Sequence, residues 1–87
     1  MQQLKKEVGM TFQEFIRSKG ITQTQLGDAM GVSRANISLW GTGENFPRPA
    51  SIEKIVEGFA TFGIEVTYEE VFRSLLYTKR EKATKEK

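Results

Sequence analysis

"TQLGDAMGVSRANISLW", residues 24–40, is the stretch on which the reading of this chain turns. It carries apolar residues at helical spacing, yet Gly31 interrupts it and Val32-Ser33 follow before the apolar period resumes. A glycine inside a helix costs about 1 kcal/mol relative to alanine. One continuous helix is therefore a poor solution, and two short ones are better. The first runs from about Gln23 to Met30, with Leu26, Ala29 and Met30 facing inward. Gly31 takes the left-handed conformation that stops a helix sharply. Ser33 is a natural N-cap for the second, Arg34 to about Trp40, which Gly41-Thr42-Gly43 ends.

The flanking sequence reads as further helices, and their starts are well marked. Thr11-Phe12-Gln13-Glu14, Thr22-Gln23-Thr24-Gln25 and Thr67-Tyr68-Glu69-Glu70 all fit the capping-box pattern. Leu4, Val8, Phe12, Phe15 and Ile16 share one helical face, while Gly9 argues for a break. The first helix thus starts either at Thr11 or further back. "GTGENFPRPA" (residues 41–50) is a loop by its Gly, Asn and Pro content, and Pro49 suits the first turn of the next helix. That helix spans about Ala50 to Phe62 with a stripe of Ile52, Ile55, Val56, Phe59 and Phe62. A fifth follows Thr67, with Val71, Phe72, Leu75 and Leu76 apolar. No sustained period-2 alternation suggests a strand. The expected fold is all-α, a compact five-helix domain over residues 11–78. Residues 1–10 precede it as an arm or first-helix extension, and 79–87 follow as a charged, frayed tail.

Composition narrows the chemistry. The 87 residues bound one domain with a small core. There is no Cys and no His, so thiolate chemistry is excluded and the commonest metal ligand and general base are absent. The glutamates are accounted for by caps and solvated faces, and no Gly-rich phosphate loop is present. Neither an enzyme nor a bound metal or cofactor is expected. No apolar run approaches the ~20 residues of a membrane span, and residues 1–9 lack the apolar region of a signal peptide. A cytoplasmic protein with no membrane partner is the expectation. The net charge of +2 is uneven: residues 1–50 carry +2, 51–78 carry −3 and 79–87 carry +3. A polyanion would prefer the first half or the tail to the middle.

Two short helices joined by a tight glycine turn make a helix-turn-helix, in which the first braces the second against DNA. The packing demands are met by apolar Leu26, Met30, Val32, Ile37 and Trp40, and by Gly27 where the two helices come closest. At about 100° per residue, Ile37 and Trp40 define the buried side of the second helix. The opposite side carries Arg34, Ser38, Ala35 and Leu39, with Asn36 at the flank. These side chains are short or directional, unlike the Glu/Lys cover of an ordinary surface helix. Arg pairs bidentately with guanine, Ala and Leu meet a thymine methyl, and Ser bonds base or phosphate.

Residues 20–43, "GITQTQLGDAMGVSRANISLWGTG", resemble the lambda-repressor-like Cro/CI (Xre) family of helix-turn-helix proteins. A weaker likeness extends over residues 9–76. The resemblance implies roles by position. Arg34, Ala35 and Leu39 stand where bases are touched, with Asn36 and Ser38 beside them. Gln23, at the start of the bracing helix, and Ser33, which opens the recognition helix, stand where phosphates are contacted. The following loop lies along the phosphates, with Thr42, Asn45 and Arg48 as its contacts. Two positions depart from the family pattern. Where a buried Glu–Arg pair is frequent, this chain has Gly41 and Ile16. Losing both partners together leaves no unpaired buried charge. Nucleoid association and a phage or bacterial repressor binding double-stranded DNA are what the resemblance implies. So, as an alternative, is an antitoxin whose main role is binding a toxin or other protein.

The last helix carries more apolar surface than a small core easily covers. Either its face is core, or Phe62, Ile64, Val66, Tyr68, Phe72, Leu75 and Leu76 contribute to a homodimer interface. A two-fold dimer would set two recognition helices one DNA turn apart, about 34 Å, on a palindromic site.

Overall fold

The computed structural model describes residues 9–85. Among them are five α-helices and no strand: α1 (Phe12–Ser18), α2 (Gln23–Met30), α3 (Arg34–Thr42), α4 (Pro49–Thr61) and α5 (Tyr68–Lys85). The expected all-helical, compact architecture is present, with a radius of gyration of 12.7 Å.

Local chemistry sets the helix starts. At Thr11 the hydroxyl accepts the Glu14 N–H at 3.2 Å, and the Glu14 carboxylate accepts the Thr11 N–H at 3.0 Å. Thr22 and Gln25 make the same reciprocal pair, and so do Thr67 and Glu70. Each such cap contributes about 1 kcal/mol by satisfying N–H groups that the helix itself leaves unpaired. The first cap also fixes the start of α1 at Phe12. Gly9 lies outside the helix against the Tyr77 ring, where a Cβ has no room. Glu81, hydrogen-bonded to the Tyr77 hydroxyl, holds that phenol above its ordinary range. Pro49 occupies the first turn of α4, as its fixed φ favours.

Every helix contributes to one core. Phe12 and Ile16 of α1, Leu26 of α2, Ile37 of α3, Ile52, Ile55 and Phe59 of α4, and Val71 and Leu75 of α5 are all buried. Phe15 meets Phe59 edge-on, with ring centroids 5.6 Å apart. Met30, Val32 and Trp40 are half-buried and pack against this cluster. Burying one such side chain fully stabilises the fold by roughly 1.5–3 kcal/mol.

Two boundaries differ from expectation, for tertiary reasons. Gly41 does not end α3; it lies inside the helix, buried, and the helix continues to Thr42. The side chain of Gln13 from α1 fills the place a Cβ at residue 41 would take. The residue of α1 facing Gly41 is therefore Gln13, one turn before Ile16, which is itself core. The charged segment after residue 78 is not frayed as far as Lys85: it continues α5. Thr78 is buried at the midpoint of this longer helix, where its hydroxyl accepts the Phe12 N–H at 2.7 Å and donates to the Ser74 carbonyl at 2.7 Å. One turn on, Lys82 and the Thr78 carbonyl pack against Gly43, which caps α3. These contacts hold a helix that apolar periodicity does not announce. No described helix is long and apolar enough to cross a membrane.

Candidate nucleic-acid interface

The position of α3 follows from how closely α2 lets it approach. A Cβ at Gly27 would lie 2.9 Å from the Val32 carbonyl oxygen and 3.6 Å from Ile37 Cγ1. The connection therefore lies directly on α2, and the Val32 N–H donates to the Gly27 carbonyl at 3.0 Å. Gly31 turns the chain at φ 76°. Ser33 then caps α3, its hydroxyl accepting the Asn36 N–H at 3.2 Å. Ile37 and Gly41, four residues apart, seat the helix on the core.

This seating leaves Arg34, Ala35 and Asn36 exposed and Leu39 37% exposed. Ser38 is half-buried, so it lies at the edge of the outward face rather than at its centre. The reason is angular: Gly41 joins Ile37 on the inner side and draws the buried arc towards Ser38. No acidic residue lies on α3.

The first turn of α3 borders a cleft of about 390 Å³ lined by Gln13, Ile16, Arg17, Ile21, Thr22, Gln23, Thr24 and Arg34. Gln23 and Arg34 thus share one cleft. It adds Gln13 and Arg17 of α1, which sequence reasoning missed. Their one advance signal was a polar outer face on a helix that otherwise buries Phe12, Phe15 and Ile16.

The other end of α3 is held differently. The Thr42 hydroxyl donates to the Leu39 carbonyl at 3.2 Å, and the backbone N–H groups of Glu44 and Asn45 donate to the same carbonyl. Asn45 and Arg48 are exposed. With Trp40, Phe46, Pro47 and Ser51 they line a second, more open depression. Pro47 is buried, and Phe46 meets Phe72 of α5 edge-on at 5.9 Å, so this loop is pinned between α3 and α5. Ser33, Gln23 and Arg34 thus cluster at one end of α3, and Thr42, Asn45 and Arg48 at the other.

The residues considered for a dimer face divide. Val66 is 8% and Leu75 2% exposed; both belong to the core cluster, Leu75 from α5 and Val66 from the segment that leads into it. Ile64 and Leu76 are half-buried. Phe62, Tyr68 and Phe72 are 37–39% exposed. Tyr68 stacks on Phe72 at 6.4 Å, and Lys79 Nζ stands 5.5 Å from the centre of the Phe46 ring. Phe46 extends this aromatic cluster, which a sequence period cannot reveal because Phe46 comes from a loop. Lys5 and Lys6, the basic residues of the expected N-terminal arm or first-helix extension, lie outside the described residues. No protein-family model, curated protein or solved structure matches the chain.

Proposed function

We propose that this protein is a sequence-specific double-stranded DNA-binding regulator. In this reading α2 and α3 form a helix-turn-helix of the lambda-repressor-like kind, and α3 enters the major groove. The observation that carries it is the outward face of α3. Ala35, Asn36 and Leu39 are exposed there with no acidic neighbour on the helix, between two ends bearing Arg34 and Arg48. Short side chains let a helix approach base edges closely, Arg34 suits a guanine edge, and Arg48 suits a phosphate. A second copy would complete the assembly through Phe62, Tyr68 and Phe72. Two copies on a palindrome overlapping a promoter would exclude polymerase, which makes repression the simplest outcome.

The test is selection from a random double-stranded DNA library at ~150 mM salt, which suppresses nonspecific binding. The expected result is an inverted repeat with half-sites about one turn apart. A single half-site would retain DNA reading and remove the dimer. No enrichment would remove the DNA reading. The exposed cluster of Phe46, Tyr68 and Phe72 favours a second reading, an interaction protein that binds a partner such as a toxin. A tight heteromeric partner in pull-downs, without a DNA site, would establish it.

A further inference from the structure

We propose that Arg17 and Arg34 form a two-armed clamp for one phosphate group in the cleft between α1 and the start of α3. That the phosphate belongs to a DNA backbone rests on the function proposed above. The division of labour is new: Arg34 holds backbone instead of reading a base.

Three observations carry this. First, the two arginines come from different helices, seventeen positions apart in sequence, and line the same cleft. Second, no carboxylate lines that cleft, and neither arginine makes an ion pair among the described residues. Glu14, the acidic residue on α1, is committed to the Thr11 cap. Two arginines on one cleft carry like charge, and a phosphate held between them would give each a charge-assisted partner. Third, the remaining polar lining is Gln13, Thr22, Gln23 and Thr24, neutral groups able to donate to phosphate oxygens. With Arg34 so engaged, sequence choice falls to Ala35, Asn36, Ser38 and Leu39. The expected preference is for thymine methyls and an adenine, with no guanine under Arg34.

The experiment measures affinity for a selected site and for a mixed-sequence duplex across a salt series. It compares the unaltered protein, Arg17→Gln and Arg34→Gln. Both side chains are exposed, so equal melting temperatures are the control for folding. Each substitution is expected to weaken both duplexes by the same factor, roughly fivefold at ~150 mM salt. Each should also lower the slope of log affinity against log salt by about 1. If Arg34→Gln weakens the selected site alone, Arg34 reads a base and the clamp is overturned. An unchanged salt slope for Arg17→Gln overturns it equally. If the unaltered protein binds no duplex, the function proposed above fails, and inorganic phosphate decides the cleft. A joint shift of the Arg17 and Arg34 Nε–H NMR signals on phosphate addition would keep the clamp as a site for a free phosphate compound. No shift would overturn it.

Discussion

The outward faces of α3 and α5 differ in kind, although both belong to helices seated on the same core. α5 exposes Glu69, Glu70, Arg73, Lys79 and Arg80, and its Arg73–Glu69 pair bridges one helical turn at 2.8 Å. That is how a surface helix stabilises itself in water. α3 exposes Arg34, Ala35, Asn36, Leu39 and Thr42, has no such pair, and is held at its ends by the Ser33 and Thr42 hydroxyls. Its stability comes from below, through Ile37, Gly41 and the close approach to Gly27. A helix held by its inner side is free to carry an outer side chosen for something other than stability. The difference locates the candidate binding surface more firmly than any single residue does.

Substitutions on the two sides should separate these roles. Ile37→Ala attacks the seat of α3 and should have the largest effect. Ile37 is fully buried, so the loss should be about 2–5 kcal/mol, read by denaturant unfolding. If Ile37→Ala proves nearly neutral, α3 is not held from its inner side and the contrast collapses. Thr78→Val removes the acceptor of the Phe12 N–H while keeping the shape, and should cost about 1–3 kcal/mol in the same measurement. Ala35→Glu places a carboxylate on the outer face, near the start of the helix where acidic residues are tolerated. It should change stability by less than ~0.5 kcal/mol and abolish enrichment in the DNA selection. Glu69→Ala, on the ordinary face of α5, should cost no more than ~0.5 kcal/mol and leave DNA binding intact.

What was legible in the sequence was what local chemistry encodes. The three capping boxes, the stop at Gly31 and the inward set of Leu26, Met30, Val32 and Ile37 depend on neighbours within four residues or on helical period, and both are visible in one dimension. What was not legible depends on partners far along the chain. Gly41 reads as a terminator until Gln13 is seen beside it, and Val66 reads as surplus apolar surface until the core closes over it. That Arg17 lines one cleft with Arg34 is invisible until α1 and α3 are placed side by side. The helix beyond residue 78 is the extreme case. Its composition is that of a tail, and its order derives from Thr78 and Lys82 meeting α1 and Gly43.

The Thr78–Phe12 hydrogen bond spans 66 positions, and it joins the beginning of one helix to the middle of another. During synthesis, α1 emerges from the ribosome with an N–H whose partner in the folded protein lies far along the chain. Its partner is translated seconds later, at ~5–20 residues per second. Until then the Thr11–Glu14 cap can set the start of α1 locally, but the Phe12 N–H is left to water. Docking of α5 is thus what transfers this N–H from water to a threonine hydroxyl. The Phe12 amide would be its reporter, exchanging with solvent freely until α5 docks and slowly afterwards.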